Sequence, residues 1–239
     1  MSHSIAVHTD VLATETLSAQ YIQALTQFAA QHYKFHNHFN FSQEILGINK
    51  TGEIAVFYDN AHKIIGFTRI SCQHLQLDNQ PVTIYSGGTY HDQKADLSFD
   101  AARFGLTRAI KYKLANPMRE IFFFANADTP ARYQFLANLS TTLYPKEGQA
   151  IPLRILKLVE NLKKHNGWSS RTSHPMIIGE QMALRNLHAT TEEKTPLVSY
   201  YLSLNPDYAS GNSLLVYLPL NFADISQGIR HLLTQPSLA

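Results

Sequence analysis

Between residues 54 and 125 the hydrophobic pattern changes its period once, and that change restricts the fold more than any other feature of the chain. Residues 54–58, 63–73 and 81–90 are rich in Ile, Val, Phe, Tyr and Thr, the residues that favour strands. Asp59-Asn60-Ala61-His62 and Leu77-Asp78-Asn79-Gln80 separate them, and Asp and Asn are turn formers. Three strands joined by short turns predict an antiparallel meander. Residues 97–114 then repeat apolar side chains at helical spacing, through Ala102, Leu106, Ala109, Ile110 and Leu114. Asn116-Pro117 stops that helix. Residues 120–125 form a short apolar strand of the type buried on both faces. Thr129 and Pro130 open a further helix, as N-cap and first-turn proline, that runs to Asn138. A meander that continues into strand, helix, strand and helix predicts an α+β fold with a mixed sheet.

The flanks read more simply. Residues 1–13 are expected to be a flexible arm. Residues 14–33 place Leu17, Tyr21, Leu25 and Phe28 on one helical stripe, and residues 32–41 read as a loop. Beyond residue 145 the pattern predicts a helix over 151–164 and a polar loop over 166–175 carrying the only Trp, Trp168. A short helix over 176–187, strands over 197–204 and 213–220, and a closing helix over 223–233 follow. Two late strands cannot hold a core alone, so residues 14–239 read as one domain.

Charge and composition remove several function classes. The 239 residues are 44% hydrophobic and 16% charged, which excludes wholesale disorder. Lys and Arg number 20 against 18 Asp and Glu, so the net charge is +2 and the basic residues are scattered. That is no footprint of a nucleic-acid binder. A single Cys, Cys72, excludes an intramolecular disulfide and a Cys-based metal site. No basic stretch followed by an apolar run opens the chain, and no apolar run approaches the ~20 residues of a membrane span. A soluble, cytoplasmic protein is expected. His32, His36 and His38 have helix-face spacing, but no Glu or third ligand completes a zinc pattern, so no metal is expected. No Gly-x-Ser-x-Gly elbow exists for a serine hydrolase.

Three places carry a resemblance. Strand 81–90 runs through Tyr85-Ser86-Gly87-Gly88-Thr89 towards the long helix. Strand 121–125 ends at Asn126. Tyr133 follows Asn126 by seven residues, and Phe135 comes next on the same helix. With the central element order, these resemble the GNAT superfamily of N-acyltransferases. The chain is most similar to a bacterial GNAT-like branch with a Tyr-Ser-Gly strand ending, a Tyr-x-Phe-Leu helix, a Tyr-Pro (here Tyr144-Pro145), and a late Asn-Pro then Gly (here Asn205-Pro206 and Gly211).

The resemblance implies a GNAT-like mixed sheet flanked by helices, with residues 14–145 as the acyl-donor core and 146–239 as an extension shaping the acceptor site. It implies transfer of an acyl group from acetyl-CoA or a longer acyl-CoA to an amine or hydroxyl by direct attack. Ser86, Gly87, Gly88, Thr89, Lys94 and Asn126 would contact the donor. Tyr133 would protonate the leaving thiolate, and His91 would act as base. Each has a plainer reading: a bulge at the glycines, a turn at Asn126, a core tyrosine, a solvated loop at His91 and Asp92. One departure stands out. The family places glycines before the long helix to hold the CoA diphosphate, whereas this chain has His91-Asp92-Gln93-Lys94-Ala95-Asp96-Leu97. Asp92 and Asp96 oppose phosphate, and Lys94 and Gln93 offset them in part. Two alternatives therefore accompany the acyl-CoA reading. One is a non-catalytic binding module of the same fold. The other is an acyl-carrier-protein donor, met by Lys157, Lys163 and Lys164.

Overall fold

Asp78 and Asn79 both adopt left-handed backbone, with φ of 50° and 61°. Two such residues close the tightest hairpin turn, whose twist matches that of its strands. They join β4 (Ile64–Leu77) to β5 (Gln80–His91), paired antiparallel from Leu77 opposite Gln80 to Gly66 opposite His91. A wider turn precedes β4. There the Ala61 and Lys63 N–H groups donate to Asp59 Oδ1, each at 2.9 Å, and so join β3 (Gly52–Tyr58) to β4.

This computed structural model describes residues 6–35, 40–48, 50–92, 94–140, 142–169, 172–179, 182–184, 195–220, 226 and 230. Beside β3 to β5 lie β1 (His8–Ala13), β6 (Glu120–Ala127), β7 (Ile177–Gly179) and β9 (Asn212–Pro219). Together they form a seven-stranded mixed sheet of order β1-β3-β4-β5-β6-β9-β7. A separate antiparallel pair joins β2 (Tyr33–Phe35) to β8 (Met182–Leu184). The helices are α1 (Ala19–His32), α2 (Ser98–Ala115), α3 (Pro130–Leu139), α4 (Leu153–Asn166) and α5 (Pro196–Leu204). None of the described helices is long and apolar enough to cross a membrane.

Side-chain alternation assigns the two faces. Ile54, Val56 and Phe67 pack on Leu25 and Phe28 of α1, and Val82, Ile84, Phe122 and Phe124 pack with Leu158 and Leu162 of α4. Ile70, Tyr85 and Ile121 point the other way and meet Phe104 of α2. The sheet is thus covered on both sides, which the continuous apolar run of β6 requires.

Three expectations are corrected. The arm is partly a strand: residues 8–13 pair along the whole of 53–58, because β3 otherwise presents an unpaired edge. The Tyr21 hydroxyl of α1 secures it by donating to Asp10 Oδ2 at 2.7 Å. The helix expected over 176–187 is instead β7 and β8 in its described part, since the segment finds open sheet edges at β9 and β2. The strand expected over 197–204 is α5. Thr195 caps it, its hydroxyl accepting from the Val198 N–H at 3.2 Å, and Pro196 opens its first turn. Capping outweighs the strand-forming composition of Leu, Val and Tyr there. The closing helix expected over 223–233 lies outside the described residues save Ser226 and Arg230.

Candidate functional site

The chemistry-bearing residues gather where two parallel strands part. β5 and β6 pair from Val82 opposite Glu120 to Gly87 opposite Ala125. Beyond that point β5 continues with β4 as far as His91, while β6 continues with β9 as far as Ala127. Each strand follows its outer neighbour, so a split opens at Gly88 and Asn126. Side chains would crowd it. A Cβ on Gly87 would lie 2.6 Å from the Arg69 carbonyl oxygen, and one on Gly88 3.0 Å from the Tyr90 hydroxyl.

A cavity lies on each face of the sheet at this split. The one on the α2 side has about 980 Å³, open mouth included, and is walled by Ala102, Gly105, Phe123, Phe135 and Leu136, with Arg132 at its polar end. The α2 residues that line it include Ala101, Ala102, Gly105 and Ala109, whose small side chains leave the room. The cavity on the opposite face has about 670 Å³ and is walled by Glu44, Arg69, Ser86, Tyr90, Trp168 and Ile178. Both are lined by Gly87, Gly88 and Asn126, so the split is their common wall.

The structure brings some of the expected residues together here and leaves others out. Thr89 lines the α2-side cavity, its hydroxyl 3.0 Å from that of Thr68. Ser86 faces the other cavity and shares a hydrogen bond of 2.7 Å with Ser71. Lys94 lines neither cavity among the described residues; its backbone N–H donates to Asp92 Oδ1 at 3.0 Å. Gln93 lies outside the described residues, as do His36 and His38. No group of three or more His, Cys, Asp or Glu side chains among the described residues is gathered as metal ligands would be.

Tyr133 and His91 stand away from both cavities. Arg132, Phe135, Leu136 and Leu139 form the stripe of α3 that faces the α2-side cavity, and Tyr133 sits about 100° round the helix from Arg132. Its ring packs 5.9 Å from Tyr201 and 6.1 Å from Tyr200. Its hydroxyl donates to the Pro145 carbonyl at 2.9 Å, and burial pushes its pKa upwards. The group is a core hydrogen bond in this arrangement. Tyr133→Phe is expected to cost about 1–3 kcal/mol, because the Pro145 carbonyl loses its buried donor. Ligand binding per folded molecule should not change; urea unfolding and titration measure the two separately. His91 Nδ1 lies 2.8 Å from the Asp92 carbonyl, so that nitrogen carries the proton. Burial, and then the nearby Arg132, lower the imidazole pKa.

The start of α2 explains the departure at residues 92–97. Asp96 Oδ1 accepts from the Ser98 N–H at 3.0 Å. One N–H that a phosphate at this helix end would need is thus already bound by a carboxylate.

Four wall residues escaped the sequence reading: Arg69, Tyr90, Glu44 and Trp168. A signal for two of them existed. Alternation puts Ser86, Gly88 and Tyr90 on one face and Gly87, Thr89 and His91 on the other. The two-residue turn at Asp78-Asn79 sets the register, which places Arg69 opposite Gly88. Glu44 and Trp168 come from a π-type turn at Ser42–Leu46 and the loop after α4, and no local pattern points to them.

Compared with known proteins, the chain matches no family model and no curated protein.

Proposed function

We propose that the chain is an acyltransferase of the GNAT type, moving an acyl group from an acyl thioester, acyl-CoA in the first instance, to an amine or hydroxyl acceptor. One observation supports the reading above the rest: parallel strands that part at Gly87 and Ala125, with a cavity on each face meeting at the split. Two substrates then approach from opposite faces and react through the gap. The apolar α2-side cavity suits the acyl chain and its thioester arm. The Thr89 N–H on the edge of β5, beyond the last pair with β6, faces the carbonyl oxygen, whereas the His91 N–H is already bound to the Tyr33 hydroxyl at 3.1 Å.

In this reading the acceptor's lone pair attacks the carbonyl carbon, the C–S bond breaks, and sulfur leaves with its electron pair. The acceptor proton passes through water to Glu44, the one carboxylate among the described lining residues of the acceptor cavity. The Tyr90 hydroxyl, beside Gly88, protonates the sulfur. The roles that the resemblance gives to Tyr133 and His91 thus pass to Tyr90 and Glu44.

A second reading, an acyl-carrier-protein donor, is favoured by the Asp96 carboxylate that accepts from the Ser98 N–H at the start of α2. A carrier keeps its phosphate at its own serine and delivers only the arm. The test compares acetyl-CoA, octanoyl-CoA and octanoyl-pantetheine as stabilisers and as substrates. A ligand at 100 times its Kd adds about 2.7 kcal/mol, or roughly 5–10 °C for a chain of this size. Octanoyl-pantetheine matching octanoyl-CoA favours the carrier donor. No shift with any thioester leaves the non-catalytic module.

Gly88→Val tests the split itself. Its Cβ meets the end of the Tyr90 side chain rather than backbone, so folding should be little affected. Turnover should fall about 100-fold, the cost of displacing reacting groups by an ångström. Thiol release measures it.

A further inference from the structure

We infer that the cavity on the α1 and α4 face binds its ligand through a carboxylate, gripped by the guanidinium of Arg69. That this ligand is the acyl acceptor rests on the acyltransferase reading; the carboxylate site stands on its own geometry.

Arg69 projects from β4 into this cavity. Its Nε donates to the Leu46 carbonyl at 3.1 Å, which fixes the plane of the guanidinium. Gly47 lies directly under it: a Cβ there would fall on Nη2, so only glycine leaves the fork its place. Nη2 is shut off from solvent and has no hydrogen-bond partner among the described residues. Nor does any described carboxylate form an ion pair with Arg69; the ion pairs among the described residues lie elsewhere. Burial is the main influence on its pKa and lowers it, with only Tyr90 acting the other way.

The other charged groups do not resolve this imbalance. Lys50 adds a second positive charge close enough to affect Arg69, and its Nζ donates to Asn166 Oδ1 at 3.2 Å. Glu44, the carboxylate in the wall, is exposed and accepts from the Asn40 N–H at 3.2 Å. An internal cation without a counter-ion is costly to keep, and a ligand anion removes the cost. The anion's shape follows from the donors left over. With Nε engaged, the two Nη groups share one planar edge that matches the two oxygens of a carboxylate, and the ligand must open the cover over Nη2 to reach it. A tetrahedral phosphate would call for further cationic donors, and Lys50 is not among the described residues lining the cavity.

Distance narrows the class further. Arg69 pairs with Gly88 across β4 and β5, so its backbone lies about one strand spacing, roughly 5 Å, from the split, and its side chain carries the fork away from there to Leu46 and Gly47. A nucleophile reaching the split from a carboxylate at Arg69 is separated from it by a spacer of about the length of that side chain, as in an amino acid that carries its nucleophile on a side chain. Trp168, Tyr90 and Ile178 leave an apolar and aromatic wall for its side chain.

The test needs no acyl donor. The folded protein is titrated with acetate, acetamide and inorganic phosphate while the Arg69 Nε–H resonance is followed by ¹⁵N NMR, assigned from Arg69→Lys. Acetate should shift that resonance saturably, and acetamide at least about tenfold more weakly. Phosphate binding as well as or better than acetate, or acetate giving no saturable shift, overturns the proposal. Arg69→Gln, checked by its melting temperature, should abolish the preference of acetate over acetamide. Turnover then separates the two ideas. Amino acids and their amides are compared as acceptors with octanoyl-CoA. Equal transfer to both overturns the assignment of the acceptor to the carboxylate site and leaves the acyltransferase standing. Carboxylate binding without transfer to any acceptor does the reverse.

Discussion

Gly105→Leu is expected to weaken binding of an acyl thioester at least about 100-fold while leaving the fold intact or slightly more stable. Gly105 sits mid-helix in α2 and lines the α2-side cavity. Glycine there costs the helix about 1 kcal/mol relative to alanine, so a side chain should gain some of that back. A Cβ would lie 3.6 Å from Ile70 and 3.9 Å from Phe123, ordinary contact distances that demand no shift of backbone. The rest of the leucine side chain must then occupy the space between α2 and the sheet. Loss of the thioester-induced rise in melting temperature, with an unchanged or higher melting point for the free protein, is the expected pair of results. Undiminished stabilisation by octanoyl-CoA in this variant would mean that the donor does not use the cavity.

Asn205→Ala is expected to destabilise the protein by about 2–4 kcal/mol, enough to lower its melting point by roughly 5–15 °C. Asn205 is fully buried. Its Nδ2 donates to both the Tyr201 hydroxyl and the Asn212 carbonyl, each at 3.0 Å. The Tyr201 hydroxyl in turn donates to the Ala127 carbonyl at 3.0 Å. The chain of bonds ties the end of α5 to the last residue of β6 and the first of β9. Those are the strands that hold one side of the split, so thioester binding should weaken along with stability. Asn205→Asp retains an acceptor but loses both donated bonds, and should be no better tolerated. Calorimetry of the two variants checks the expectation; a melting point within a degree of the parent would show that the network carries no load. The Asn-Pro segment that contributed to the resemblance therefore has a structural reason to be where it is.

Much of the frame was legible because it rests on local rules. The Asp-Asn turn specifies both the hairpin and its register. The change from alternating to helical period marks the passage from meander to crossover, and a crossover helix between adjacent strands makes them parallel. Thr129-Pro130 announces α3 to the residue. The same signal, Thr195-Pro196, marks α5 against the strand-forming composition of Leu, Val and Tyr that follows it.

What only the tertiary structure decided depends on segments far apart in the chain. Residues 8–13 become a strand because an edge some forty residues away needs a partner. Tyr133 lies on a helix correctly expected, but the direction of its hydroxyl is set by Pro145 and the tyrosines of α5. Asp92 and Asp96 look in the sequence like repulsive charges awaiting a ligand, and in the fold they bind backbone N–H groups of their own loop and helix. Arg69 reads as one cation among twenty. Its setting arises from Leu46 and Gly47 beneath it, Tyr90 beside it and the lack of a paired carboxylate among the described residues. Hydrophobic period and turn chemistry act over a few residues and so are written in the chain locally. The surroundings of a side chain are assembled from many segments at once, and they exist only once the chain has folded.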